Sequence, residues 1–158
     1  MIMQKKKKNV FIEGPISSEF IAQSIAKHSS QTNIGAHAIF LGQVRNDKME
    51  DAAVVGIEYS SYLEMADEIF DQMREETFAQ FPLTCMHIYH SLGLVKAGEI
   101  SLFVFTSAIH RREALDACDW IVERIKKEAP VWGKEILDNH TYSWKTNSVT
   151  PFNKKVYI

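Results

Sequence analysis

The sequence predicts an α+β fold in which a mixed, largely antiparallel sheet packs with three main helices. The predicted elements follow the order β-α-β-β-α-β-β-α-β, so two pairs of strands succeed each other without an intervening helix. Such pairs favour antiparallel pairing over a doubly wound parallel sheet. The 158 residues, of which 46% are hydrophobic and 24% charged, are typical of one soluble globular domain. We therefore predict a single domain over residues 1–158.

The first predicted elements are a short strand and a capped helix. The apolar residues 9–13 predict the strand. Ser17 has a side chain suited to a helix N-cap, and Ile16 and Ile21 stand where a hydrophobic staple places its two partners. These signals together predict a helix over residues 17–28.

Two strands and a long helix are predicted next. Residues 34–44 are apolar on both faces, which predicts a strand in the centre of the sheet. Residues 53–62 alternate in polarity and predict a second strand. Residues 63–81 repeat apolar side chains at helical spacing. The residues predicted to share one face of the second strand are Val55, Ile57 and Tyr59. The predicted inner stripe of the helix comprises Ala66, Ile69, Phe70, Met73 and Thr77.

The second half of the chain predicts further strands around a third helix. The helix begins after His110 and ends before Pro130, which cannot donate a backbone hydrogen bond. Residues 92–98, with two glycines, predict a connection. The predicted strands are residues 86–91, 100–106, 136–137 and 142–144. The predicted buried stripe of the helix comprises Ala114, Leu115, Cys118, Ile121, Val122 and Ile125.

Composition restricts the partners and the compartment. The net charge is −2, so any positive site must be local. No apolar run reaches the ~20 residues of a spanning helix, and the basic N-terminus lacks the apolar stretch of a secretory signal. Cys85 and Cys118 have no CxxC motif and no histidine at metal-ligand spacing. We therefore predict buried thiols, no metal site and a reducing, cytoplasmic setting. The histidines predicted to be structural or on the surface are His37, His87, His90 and His140.

Three cationic residues, His110, Arg111 and Arg112, stand where the apolar strand gives way to the third helix. A helix N-terminus presents backbone N–H groups and the positive end of the helix dipole, so it favours an anion. An arginine guanidinium matches phosphate or carboxylate. Alternatively, these residues only mark the start of a helix.

Other cations follow other element ends. Arg45 closes a predicted strand, although an exposed loop arginine has the same pattern. Lys126 lies in the last turns of the third helix, where the dipole stabilises cations, and it borders the apolar stripe. Partial burial lowers a lysine pKa and suits the residue to acid–base or nucleophilic work. Lys134 follows the Pro130 stop and is expected on the same side. These residues predict a local cationic pocket for a phosphate or a carboxylate tail.

From Gly35 to about Trp144 the chain resembles the large, catalytic subunit of molybdopterin synthase. The matching segments are GAHAIFLGQVRN, the IEY-x5-M start of the long helix, IYHSLGLVKAGEISLFVFTSAIHRREA, and ERIKKEAPVWGKE with its closing Trp-Lys pair. These segments occur in order at family-like spacing. The pattern HR-x14-K-x3-P-x-W-x-KE is specific to the family.

The resemblance implies an α/β-hammerhead fold and a homodimer flanked by two copies of a small ubiquitin-like subunit. It further implies that the Gly-Gly tail of that subunit, activated as a thiocarboxylate, enters a pocket of the large subunit. The tail would supply sulfur to cyclic pyranopterin monophosphate, and two transfers would form the dithiolene of molybdopterin. No metal or organic cofactor is implied for this chain, and neither is a nucleic-acid or membrane partner.

The resemblance also implies the residues of the site. Lys126 matches the lysine beside the reacting carboxyl terminus, for which the family suggests a general acid–base or anion-stabilising role. The sequence departs from the family at Gly133, where many members carry a second functional lysine. Either Lys134 swings into that place through the flexibility of glycine, or the second lysine is missing. We favour Lys134 as the second catalytic residue. The implied substrate-binding residues are Gln43, Val44, Arg45, His110, Arg111, Gly133 and Glu135.

Two other functions stay open at this point. A non-catalytic module that docks the ubiquitin-like tail would also suit the glycine at position 133. The four lysines of residues 5–8, within a predicted flexible arm at residues 1–8, would suit a nucleic-acid tether, although no aromatic residues are interleaved with them. Residues 148–158 form a tail with no clear prediction.

Overall fold

The computed structural model describes residues 9–145, which form seven strands and three helices. The predicted basic arm and the tail at residues 148–158 lie outside this range. In chain order, the elements are β1 (Phe11–Glu13), α1 (Ser18–Ala26), β2 (Ala36–Gln43), β3 (Val54–Ser61), α2 (Leu63–Gln80), β4 (Leu83–Lys96), β5 (Ile100–Ala108), α3 (Arg111–Glu128), β6 (Val131–Leu137) and β7 (Tyr142–Trp144).

The strands form one sheet in the order β2-β5-β4-β3-β6-β7, and β1 pairs with β4. The β1–β4 pairing is parallel, whereas every other pairing of these named strands is antiparallel. The mixed, largely antiparallel α+β prediction is therefore confirmed. No helix within residues 9–145 is both long and apolar enough to cross a membrane.

Helix α1 begins as its sequence signals predict. The Ser17 hydroxyl accepts a hydrogen bond from the Phe20 backbone N–H at 3.1 Å. Ile16 belongs to a small core with Phe103 and Phe105, and Ile21 packs against that core. The cap and the staple fix the angle at which the chain enters the helix.

The main core lies on the other face of the sheet, under α2 and α3. Ile125 and Val131 are fully buried at the end of α3 and the start of β6. The α3 stripe agrees with the prediction except at Leu115, which is 50% exposed, while Ala117 is buried. Residue 117 is three residues from Ala114 and lies on its face, whereas residue 115 is turned about 100° away from it.

Strand β2 lies at the edge of the sheet, so the prediction that it is central was wrong. It pairs with β5 alone among the described strands. Ile39 and Leu41 are 38% and 41% exposed. Both faces of β2 are apolar, but one of them, which carries Ile39 and Leu41, is only partly covered by the described residues.

Backbone irregularities overturn two smaller predictions. A register shift between Val54 and Gly56 turns Val55 outward, so Val55 does not share the buried face of Ile57. Residues 92–96 of the predicted connection are instead the second half of β4, and only residues 97–98 form a turn. Gly93, with φ of 81°, occurs where β4 passes from β1 to β3, and the turn falls at Gly98.

Candidate active site

Lys126 lies in the last turn of α3, directly after the buried Ile125. Burial and, to a smaller extent, the nearby charges of Lys145 and Arg45 together lower the pKa of Lys126 to about 8. A lysine with this pKa is mostly protonated at neutral pH and releases its proton more readily than a solvated lysine. This lowered pKa suits the acid–base role of Lys126, which stays a prediction.

Lys145 is the cation that sequence reasoning missed. It follows β7, and its backbone N–H donates a hydrogen bond to the Gly133 carbonyl oxygen at 2.9 Å. Burial lowers the pKa of Lys145, and the charge of Arg45 acts in the same direction. The closing Trp-Lys pair of the matched segments was the available signal, but the pattern gave no indication that β7 carries this lysine back to Gly133.

Gly133 and Lys134 occupy opposite faces of β6. Gly133 is buried opposite Tyr59, and a Cβ atom there would lie 3.0 Å from Ile57 Cγ2 and 3.7 Å from Lys145 Cβ. Successive side chains of a strand alternate in direction. Lys134 points away and holds its Nζ 4.3 Å from the ring centroid of Tyr142. The structure does not bring Lys134 to Lys126 as expected, and the lysine beside Gly133 is Lys145.

The segment after β2 lines a cavity of its own, and the charge of Arg45 in this segment acts on Lys126 and Lys145. Arg45 is exposed and pairs with Asp47 at 3.2 Å. Val44 is buried, and its backbone exchanges hydrogen bonds with Gly98 and Glu99. A cavity of about 460 Å³ lies here. Its lining comprises Gln43, Val44, Arg45, Asn46, Asp47, Ala97 and Gly98. The predicted residues Gln43, Val44 and Arg45 therefore lie together.

Glu135 is the acidic member of this group. It lies two residues beyond Gly133 on β6 and so shares that face. Burial raises the pKa of Glu135, although the charges of Lys145 and Arg45 oppose this shift. The carboxyl group therefore lies near two cations, Lys145 and Arg45, and near the carboxylate of Asp47.

Two buried polar side chains, His90 and Tyr59, lie next to the cations. Burial lowers the pKa of His90 to about 3, and the charges of Lys126 and Lys145 contribute. The His90 ring is therefore neutral at physiological pH. Its Nδ1–H donates to the Ser91 carbonyl oxygen at 2.7 Å, and its Nε2 has no hydrogen-bond partner within the described residues. The Tyr59 hydroxyl makes a 3.2 Å hydrogen bond with Ser101 Oγ.

His110 and Arg111 lie at the opposite end of α3. His110 is the N-cap residue, and both side chains are exposed. Arg111 is fifteen residues before Lys126, which corresponds to about 22 Å along a helix. A single chain therefore does not join these two residues to the Lys126 pocket, and the expectation of one pocket is not met within one chain.

Residues 14–128 match the family described as "MoaE protein". The chain is 40% identical over 118 residues to a protein from Pyrococcus abyssi named molybdopterin synthase catalytic subunit, and this match covers 75% of the chain and 78% of the relative. A protein of the same name from Rattus norvegicus is 34% identical, and the match covers 72% of the chain. The chain spans only 56% of the length of that relative.

Solved structures of similar proteins share the fold. Molybdopterin synthase from Staphylococcus aureus superposes with a TM-score of 0.75 and 27% identity, over 87% of this chain and 96% of that chain. A complex of subunits 1 and 2 of molybdopterin-converting factor from Helicobacter pylori gives a TM-score of 0.73 and 21% identity, over 89% and 92% of the two chains.

Proposed function

The chain belongs to the MoaE protein family, and we propose that it is the catalytic subunit of a molybdopterin synthase. It transfers sulfur from the C-terminal thiocarboxylate of a small ubiquitin-like subunit to cyclic pyranopterin monophosphate. The observation that supports this proposal best is the half-buried Lys126, with its pKa of about 8, beside Lys145 and Arg45. A proton donor set among fixed cations suits a reaction between two anions.

In each transfer the thiocarboxylate sulfur forms a C–S bond with the substrate as a C–O bond breaks, and water then cleaves the resulting thioester, which leaves sulfur on the substrate and a carboxylate on the tail. The departing oxygen needs a proton, which the Lys126 ammonium supplies. Lys145 and Arg45 offset the charges of the substrate phosphate and the tail. The His90 ring is neutral, so it adds no charge, and its Nε2 presents a lone pair next to these cations.

A homodimer explains why His110 and Arg111 lie far from Lys126 in one chain. Strand β2 starts beside the residues that precede His110, since the Gly35 N–H donates to the Ala108 carbonyl oxygen at 3.0 Å. It ends two residues before Arg45, so its eight residues span about 26 Å between the two cationic regions.

A two-fold axis across β2 would reverse the strand direction in the second copy. The exposed Ile39 and Leu41 offer an apolar surface along this edge. In such a dimer, Arg111 of one protomer meets the Lys126 pocket of its partner. We propose that each complete site contains groups from both chains, in a cytoplasmic heterotetramer with two small subunits.

The function is tested with the full chain, thiocarboxylated small subunit and cyclic pyranopterin monophosphate in a single-turnover assay of molybdopterin formation. We expect product from the native chain and none above background from Lys126→Ala. Binding of the small subunit is measured in parallel and is expected to survive in Lys126→Ala. Lys127→Ala is the matched control, because Lys127 lies in the same helical turn but is exposed.

The competing function is a docking module that binds the tail without turnover. It predicts that the native chain binds the small subunit and yields no product, and this result would refute the proposed activity. A nucleic-acid tether at residues 5–8 predicts salt-dependent RNA or DNA binding that deletion of residues 1–8 abolishes. We expect no such binding.

A further inference from the structure

A cluster of nitrogen and sulfur ligands lies on the α1 face of the sheet, opposite the face of the Lys126 pocket. His28 Nδ1 or Nε2, Cys85 Sγ and one ring nitrogen of His87 lie within 4.8 Å of one another. His28 follows the end of α1, whereas Cys85 and His87 are alternate residues of β4 and so share a face. The sequence alone does not reveal this cluster. The Cys-x-His spacing places two side chains on one face only if residues 83–96 form a strand, and His28 is remote in sequence.

The distances approach those of a metal site. Tetrahedral zinc with nitrogen and sulfur ligands holds its donor atoms about 3.3 to 3.6 Å apart. His28 Nε2 and His87 Nε2 are 3.0 Å apart, and the thiol completes the triangle within 4.8 Å.

The tautomer of His28 favours metal binding. Its Nδ1 lies 2.7 Å from the Ser24 carbonyl oxygen. Because a carbonyl only accepts, Nδ1 must carry the proton, and the Nε2 lone pair points toward His87. Metal-ligating histidines are commonly oriented by such a bond from the other ring nitrogen to a backbone carbonyl. His28 is also more than nine-tenths buried, so its ring is held in place.

A simple hydrogen bond between the two imidazoles explains their contact, but it assigns no role to the nearby thiol. Soft thiolate and imidazole donors together match zinc rather than magnesium or calcium, which take oxygen ligands. We propose that His28, Cys85 and His87 bind one zinc ion, with a solvent molecule as the fourth ligand. Binding would displace the Cys85 thiol proton and tie the end of α1 to β4.

The test is a titration of the tag-free, reduced full chain with Co²⁺, followed by competition with Zn²⁺. Co²⁺ bound by a thiolate in four-coordinate geometry gives a near-ultraviolet charge-transfer band and intense visible bands. We expect both from the native chain at about one ion per chain, and Zn²⁺ should abolish them. Zn²⁺ should also raise the thermal unfolding midpoint.

Variants assign the ligands. Cys85→Ser should lose the charge-transfer band, and His87→Asn should weaken Co²⁺ binding by more than about tenfold. Cys118→Ser and His140→Asn are matched controls outside the cluster and should keep the native spectrum. Cys85 is only partly buried, so Cys85→Ser disturbs the fold least. An absence of the band in the native chain, or its persistence in Cys85→Ser, would overturn the proposal.

Discussion

At the residue scale, the charge of the site depends on which lysine side chains are partly buried next to one another. Sequence spacing predicted that Lys126 borders the core, because it lies next to the apolar stripe of α3, and the side chain is partly buried. It favoured Lys134 and missed Lys145, although the two lysines are only eleven residues apart. The difference arises from strand alternation in β6 and from the return of the chain through β7.

The pH dependence of the reaction tests the role of Lys126. Its pKa is lowered from 10.5 to about 8, so the protonated form that donates a proton is lost as the pH rises through about 8. We expect the single-turnover rate of the native chain to fall above that pH. In Lys126→Arg the fall should disappear, at a lower overall rate, because a guanidinium stays charged. A fall that persists unchanged in Lys126→Arg would assign it to another group; Lys127→Arg should match the native profile.

Lys145 and Lys134 are distinguished by equivalent substitutions. Lys145→Met removes a cation of the pocket and should lower the rate by about 10²-fold, the cost of losing one electrostatic donor. It should also move the alkaline fall to higher pH, since the Lys145 charge lowers the pKa of Lys126. Lys134→Met should stay within about twofold of native, because Lys134 faces Tyr142. The opposite ranking would restore Lys134 as the second catalytic lysine.

At the element scale, the sequence predicted the order, type and approximate ends of most elements. Hydrophobic periodicity and capping signals are local, which is why α1, α2 and α3 agreed closely with prediction. The edge position of β2, the bulge at Val55 and the length of β4 depend on pairing between distant segments. Local patterns do not contain that information.

Gly35 tests how β2 positions the start of α3. A Cβ atom at Gly35 would lie 2.0 Å from the Ile109 carbonyl oxygen, directly before His110. Gly35→Ala should lower the free energy of unfolding by about 1–3 kcal/mol or more, as expected for overpacking against backbone. Chemical denaturation measures this loss. Gly42→Ala is the control, since its nearest contact is a side chain, Leu102 Cβ at 3.2 Å, and its loss should be smaller. Equal stability of Gly35→Ala and the native chain would contradict the close contact.

At the scale of the whole molecule, the proposed homodimer builds each site from two chains. The sequence grouped His110, Arg111 and Lys126 by charge and motif, but it could not show that the length of α3 separates them by about 22 Å. Motifs predict which groups act, whereas the geometry of the proposed dimer determines which copies of these groups meet. The edge strand β2 connects the two cationic regions and suggests how the copies align.

Complementation between inactive variants tests this claim most directly. Arg111→Ala and Lys126→Ala are each expected to be inactive alone. After exchange of protomers in an equal mixture, about half of the dimers are hybrids, and each hybrid has one intact site of two. Molybdopterin formation should therefore recover to about a quarter of the native rate. A mixture of Arg45→Ala with Lys126→Ala is the control, and it should not recover because both residues belong to one chain's pocket. No recovery in the first mixture, with exchange verified by differently tagged protomers, would contradict the shared site.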